Sequence, residues 1–483
     1  MHDRFSSRAL SRMGRRGFLK TLTTLGVSAS TAGVLTQDAV ADIVDDPRRE
    51  VPRIKAFRHT NHREVVEEGA KPEREPVVYT IPRWRWARVE AAHDARRQVE
   101  KQLDGNYPVW VTTDSNGEKK IVVEQYDDGN LRSSDVRTLD DQVPSSVTGV
   151  AGGRSRDSVP PYGSNAKGVG PTFGHSSRFA EEREVPVVVE RPRISDRKTG
   201  EKPSVMHTDG EDPISTSDHE VEEDFHYLYE WDEIPAGACM QFGGQYEADG
   251  EPVAVFGTAT AGFPAYRDGD QVMISAGHNW EWPDLSVNPQ AAWADSLINT
   301  IPWDGGEYLT EDPDFDDQVV VDEAWNEHSA DDYDTYDYSI MSRRNSADVA
   351  YNFAADSNGN TESWPVYGTV ATERLRDLED NGTRDNETLY QQGATTGRDE
   401  CAITDVRDHS FRTDLVGGWG VQEGDSGGPV VLVESHPTNP DYPYSAAYPA
   451  GVISSYLSSP AGPDSRTFAT TARLIEEEHS LRV

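Results

Sequence analysis

A serine sits among glycines at Gly424-Asp425-Ser426-Gly427-Gly428-Pro429, directly ahead of the apolar run Val430-Val431-Leu432-Val433. A serine hydroxyl is a weak nucleophile until a base takes its proton and amide N–H groups stand ready for the oxyanion. Glycine supplies the backbone freedom such an arrangement needs. Without a Cβ, Gly424 can turn its N–H toward the point that the Ser426 N–H also faces, while Gly427 and Gly428 let a substrate backbone come close. The chemistry this stretch suits is acyl transfer through a serine ester. A bare Gly-Asp-Ser-Gly is also an ordinary turn, so the reading depends on partners elsewhere in the chain.

The hexapeptide resembles the nucleophile loop of chymotrypsin-like serine proteases, whose triad runs His, Asp, Ser along the chain. Residues 271–278, Gln-Val-Met-Ile-Ser-Ala-Gly-His, form an apolar run ending in a small-residue turn and His278, and are similar to the family's histidine signature in its bacterial form. Asp337-Tyr338-Ser339-Ile340-Met341 is similar to the family's aspartate segment, with an apolar strand beginning immediately after Asp337. Gly393-Ala394-Thr395-Thr396-Gly397 resembles a segment of the streptogrisin and α-lytic branch. The resemblance implies His278 as base, Asp337 as its orienting partner and Ser426 as nucleophile, with the Gly424 and Ser426 N–H groups as oxyanion hole. It implies an all-β catalytic domain of two antiparallel β-barrels with the site between them and a C-terminal helix. Protein or peptide substrates are the partners it implies, and the chemistry needs no metal or organic cofactor.

The elements that must position these residues read as short strands separated by turns. Apolar or alternating runs recur at 253–257, 271–274, 318–321, 338–341, 363–370, 402–406, 430–433 and 451–456, with a last strand at 466–469 and a helix over 471–479. This catalytic domain is assigned to residues 231–483. Ahead of it, residues 42–143 read as a small α+β region. Trp86, Val89, Ala92, Val99 and Leu103 share one helical face, and residues 107–113 and 120–126 flank the turn Asp114-Ser115-Asn116-Gly117 as a hairpin. Residues 144–230 read as a largely flexible linker containing a short strand at 185–189. The first reading of residues 42–230 is a pro-segment; a retained accessory module is the second.

Residues 1–41 read as a twin-arginine signal, with Arg15-Arg16 ahead of a mild apolar stretch and a small-residue cleavage site at Ala39-Val40-Ala41. That stretch is too short and too rich in Thr, Ser and Gly to span a bilayer stably. The expectation is export by the twin-arginine machinery to the extracellular space, as a monomer. The charge agrees with a salty environment. The chain carries −39 overall, and residues 231–483 hold about 46 Asp and Glu against about 12 Arg and no Lys. Concentrated salt screens such self-repulsion, whereas nucleic-acid binding is disfavoured by it. The acidic loop at 311–317 could hold calcium, but Asp317 stands where an EF-hand loop needs glycine, so a solvated loop is expected.

The chain departs from the family pattern in several places. Asn279 follows His278 where the bacterial branch carries a half-cystine, so Cys239 and Cys401 are expected as free buried thiols rather than a bridge. Gln391 stands where the branch places an arginine to pair with the aspartate before the nucleophile, leaving Arg398 as one candidate counter-charge for Asp425. Gly420 occupies the position where trypsin-like members carry a basic-selective aspartate, and Ser454-Ser455-Tyr456 would pair with substrate, Tyr456 narrowing the pocket. Cleavage after small or medium apolar residues follows from that reading. The competing reading from another class is a binding or adhesion protein that keeps the fold without turnover.

Overall fold

The computed structural model describes residues 50–105, 107–125, 133–151, 181–191, 197–199, 204–207, 233–248, 251–267, 270–277, 323–326, 337–342, 348–355, 360–416, 421, 424–435, 445–457 and 466–483. The signal at 1–41, the acidic loop at 311–317 and the run at 318–321 lie outside these residues. The chain packs as two compact units, one of residues 1–55 with 76–192, the other of residues 56–75 with 193–483. Segment 56–75, which composition groups with the N-terminal region, therefore packs with the second unit. It comprises the end of strand β1 (Glu50–His59), helix α1 (His62–Glu68) and the start of β2 (Arg74–Pro82).

The first unit lays one long helix on a sheet. Helix α2 (Arg83–Gln102) begins directly after Pro82, contains no glycine or proline, and ends where Asp104 and Gly105 take positive φ. Ala92, Ala95 and Val99 on its inner face join Val109, Ile121 and Val187 in one core. The sheet runs β3 (Val109–Thr113), β4 (Lys119–Glu124), then β6 (Glu181–Glu190) parallel to β4, then β5 (Ser146–Ala151) antiparallel to β6, with α3 (Ser133–Gln142) between β4 and β5 in sequence. The expected hairpin forms, its turn held by the Asp114 carboxylate accepting from Asn116 N at 2.8 Å and Glu118 N at 2.9 Å while Gly117 takes φ 79°. Gly149 is fixed by contact, since a Cβ there would stand 1.8 Å from the Ala91 carbonyl oxygen of α2.

The second unit is mostly β. Strand β7 (Arg197–Thr199) comes first; β8 (Ser204–His207), β10 (Cys239–Ala248) and β11 (Glu251–Thr260) form one antiparallel sheet, with β9 (Glu233–Ala236) ahead of it in sequence. An antiparallel sheet follows in the order β12 (Phe263–Arg267), β13 (Asp270–Ser275), β15 (Asp337–Ser342), β14 (Glu323–Asn326), and β16 (Asp348–Phe353) pairs parallel with β9. After β17 (Gly368–Val370) and helix α4 (Thr372–Asn381), six strands close a barrel: β18 (Glu387–Gly393), β21 (Pro429–Ser435), β22 (Ser445–Leu457), β23 (Arg466–Thr471), β20 (Ser410–Leu415) and β19 (Gly397–Val406), with β19 pairing back to β18. Helix α5 (Ala472–His479) ends the sequence of elements, its first turn capped by the Thr471 hydroxyl accepting from Leu474 N at 3.3 Å. The expected mostly-β architecture with a closed barrel and a C-terminal helix is present. No described helix is long and apolar enough to cross a membrane.

Strand β21 explains why residues 430–433 do not alternate in polarity. Val430 and Leu432 point into the core of the closed barrel with Phe411, Ile453 and Ala469, whereas Val431 and Val433 point the other way, into the core built from Phe263, Ile274, Ile340 and Phe353. A strand buried on both faces has no polar side to show.

Candidate functional site

The strand register brings the expected aspartate to the residue that precedes the expected histidine in sequence. Val272 pairs with Ser342 and Ser275 with Ser339, so continuing the antiparallel register two residues sets Asp337 opposite Gly277, the residue before His278. The Asp337 carboxylate accepts from the Gly277 amide at 2.8 Å. It is 3% exposed, and its own amide and carbonyl lie 3.2 Å from the Thr470 hydroxyl of β23. Asp337 is thus anchored both by Gly277, just beyond β13, and by Thr470 of β23. His278 and Gly420 both lie outside the described residues.

The turn carrying Ser426 is determined by close contacts. Gly424 and Gly427 have φ of 91° and 90°, in the left-handed region that favours glycine. A Cβ on Gly427 would fall 2.0 Å from Ser275 Oγ and 2.3 Å from the Thr260 carbonyl oxygen. The chain turns tightly, with Gly428 N donating to Asp425 O at 2.9 Å, and enters the barrel sheet through Gly427 N to Ile453 O and Ile453 N to Gly428 O, each 2.8 Å. From the opposite side, the Thr260 amide donates to Ser426 O at 2.9 Å and its hydroxyl donates to Gly424 O at 2.8 Å. Both carbonyls are so committed to Thr260. Ser426 itself is buried.

Asp425 is held by a different device from the one its sequence suggests. Fully buried, its carboxylate accepts from Thr395 N at 2.8 Å, Thr396 N at 2.9 Å and Thr396 Oγ1 at 2.7 Å. Arg398, the candidate counter-charge, instead pairs with Glu362 and donates to Gln392 Oε1 at 2.8 Å. Backbone amides and a hydroxyl from a turn of small residues stabilise the carboxylate directly. The two recognisable segments, 393–397 and 424–429, are therefore one structure. Gly393 and Gly428 are its contact points, a Cβ on either meeting Asp425 Oδ1 or Gln392 O at 2.1 Å.

Ser454 is buried in β22 with its hydroxyl 3.4 Å from the Phe468 carbonyl oxygen. Ser455 and Tyr456 follow in the same strand, and their backbones are paired on both sides. One edge pairs with Phe468 and Thr467 of β23, the other with Thr199 and Lys198 of β7. A segment of this chain thus runs antiparallel along the strand that sequence marked for substrate, a pairing that no local signal in residues 197–199 announces.

Cys239 and Cys401 are free and buried, and burial pushes both thiols well above their ordinary range, with the Asp425 charge adding to the effect at Cys239. Both are held as inert protonated thiols at neutral pH.

No family model matches the chain, and no curated protein matches it. Among solved structures, the chain is similar to a glutamic-acid-specific serine protease, with 15% identity and a TM-score of 0.31 over 52% of this chain and 100% of that one. It is similar to protease A of Thermobifida fusca, with 14% identity and a TM-score of 0.28 over 52% and 97% of the two chains. It is also similar to a chymotrypsin of Cellulomonas bogoriensis, at 14% identity and 0.28 over 52% and 98%.

Proposed function

We propose that the second unit is a serine endopeptidase. His278 takes the proton of Ser426 Oγ as the oxygen attacks a peptide carbonyl; Asp337 orients His278 and stabilises the imidazolium; the Gly424 and Ser426 N–H groups hold the oxyanion. His278 then passes its proton to the leaving amine, and water releases the acyl group by the reverse sequence. The observation that carries this reading is the Asp337 carboxylate receiving the Gly277 amide at 2.8 Å, because it commits a buried acid to the residue adjoining His278. The glycine turn around Ser426, held by Thr260, supports it.

On this reading the substrate lies along Ser454-Ser455-Tyr456, and Gly420 with Tyr456 favours small or medium apolar side chains. Strand β7 occupies that edge, so the chain in this form is a zymogen whose activity requires β7 to leave. The acidic surface suits an enzyme exported through the twin-arginine route into concentrated salt.

The test is labelling with a fluorophosphonate probe in high salt, with the modified residue mapped by mass spectrometry beside a Ser426→Ala control. Labelling at Ser426 that vanishes in the control is expected. A folded, processed sample that takes no label would instead fit a binding protein without turnover.

A further inference from the structure

Residues 56–75 are built into the unit that carries Ser426, although the whole of residues 76–192 intervenes in sequence. Ala56, Phe57 and Arg58 pair antiparallel with Val370, Thr369 and Gly368, and the His59 amide donates to Tyr367 O at 2.9 Å. Strand β17 is shaped for this partner: Gly368 has φ 138°, and a Cβ there would stand 1.7 Å from the Phe57 carbonyl oxygen. Helix α1 contributes Val65, fully buried in the same core as Phe263, Ile340 and Ile475. Beyond the helix, the Arg74 guanidinium pairs with Glu476 of α5, with 9% and 1% of the two side chains exposed. Glu476 is otherwise met by Arg473 and accepts from Thr369 Oγ1 and Val483 N. Losing Arg74 would leave a buried carboxylate short of charge compensation, and losing Val65 would open a cavity.

The path of the chain matters as much as the contacts. It enters the second unit inside β1, leaves inside β2 and returns after Pro192. No cut downstream of Pro192 touches either crossing.

We propose that residues 56–75 are a permanent strap of the 193–483 body, so that a cut made anywhere between residues 200 and 232 leaves the strap in place, and with it the N-terminal fragment to which it is covalently joined. Strand addition, a buried apolar anchor and a buried ion pair together give the retention that a peptide bond no longer supplies. Processing on this account frees the chain end next to β7 without discarding the first unit. The inference needs only the packing of the strap and holds whether or not the unit turns over substrate.

The test uses the full chain carrying Ser426→Ala, with a recognition site for a sequence-specific protease inserted after Asp212. After complete cutting, verified by denatured mass, the two fragments are expected to co-elute in size exclusion at high salt, and the His59 amide to exchange no faster than before. The same chain with Val65→Asp and Arg74→Ala is expected to lose protection of the His59 amide on cutting, whatever hold β7 and β8, which also lie ahead of the cut, keep on β22 and β11; if that pair prevents folding, Arg74→Ala alone is expected to speed His59 exchange at least tenfold. Separation of the fragments, with residues 213–483 keeping their compact elution and melting temperature, overturns the proposal. So does co-elution in which the His59 amide exchanges freely, because retention would then come from other contacts. Because Ser426 is absent, neither result depends on activity; failure of the folded, processed wild-type protein to take the fluorophosphonate label would count against the endopeptidase reading alone.

Discussion

Thr260 and Ser426 are joined by the Thr260 amide donating to the serine carbonyl oxygen at 2.9 Å, while the same threonine's hydroxyl donates to Gly424 O and accepts from Ala394 N, both at 2.8 Å. One residue at the end of β11 thus fixes the nucleophile turn and the turn that holds Asp425. Thr260→Val keeps the shape but leaves a buried amide and a buried carbonyl without this partner, at a cost of about 1–3 kcal/mol. Fluorophosphonate labelling is expected to slow roughly tenfold to a hundredfold, with Thr260→Ser close to wild type. Wild-type labelling in the valine variant would remove Thr260 from this role.

Asp337→Asn should separate orientation from folding. A carboxamide oxygen can still accept from Gly277, so the melting temperature should change little. The tautomer of His278 would be wrong, and labelling of Ser426 is expected to fall by on the order of 10⁴. A loss of less than tenfold would argue against Asp337 as the partner of His278.

The pairing of β7 with Ser455-Tyr456-Leu457 predicts that weakening β7 activates the chain. Proline at position 198 removes one backbone N–H and cannot continue a ladder. Lys198→Pro in the uncut chain is expected to raise the labelling rate at least tenfold. An unchanged rate would mean that β7 does not obstruct the site.

The strap should respond to acid. His59 Nε2 donates to the Val483 carbonyl oxygen at 2.7 Å, which leaves Nδ1 to accept from His62 Nδ1–H at 3.3 Å. Burial lowers His59 to about 4, with Arg74 adding to the effect and the Val483 carbonyl and Glu476 opposing it; burial, then His59, lowers His62 to about 3. The rings of Tyr351 and Tyr367 also face the pair. Both folded values lie below the ordinary 6.5, so the stabilisation is complete above that pH. As pH falls below 6.5 the unfolded chain takes up protons that the folded one refuses, and stability drops by up to about 1.4 kcal/mol per pH unit for each histidine. Urea midpoints measured from pH 8 to 4 should therefore fall more steeply for wild type than for His59→Gln with His62→Asn. Parallel profiles would refute the assignment.

Residues 231–483 carry a net charge of about −34. Screening this repulsion should raise the melting temperature continuously as KCl increases from 0.1 M to beyond 1 M, well past the point where the Debye length shrinks to about 3 Å. A melting temperature that peaks near 0.2 M would contradict salt adaptation.

The parts legible in the sequence are those whose information is local. Strand β13 with its small-residue turn, the aspartate opening β15, the glycines around Ser426 and the capped helix α5 all announce themselves within ten residues. The support of Asp425 is not legible, because its donors include two backbone amides, and an amide has no residue identity to read, whereas the cation that sequence does show, Arg398, pairs with Glu362. Helix α4 has little sequence signature, because its only apolar residues are Leu375 and Leu378 and its buried Arg374 pairs with Asp377 and Glu387. The role of segment 56–75 was invisible for a plainer reason: its partners are hundreds of positions away.

That distance also bears on how the chain comes to its native state. Arg74 meets Glu476 across 402 positions, and His59 meets Val483 across 424. A growing chain makes the strap some 402 residues before the Glu476 that receives Arg74, so the serine-bearing body stays unfinished over that whole interval of synthesis. Contacts of such long sequence separation also place refolding in the slow regime, where loop closure precedes any reward. Lateness of this kind is itself a safeguard: a nascent chain that has not yet produced residues 476–483 has no completed seat for its strap.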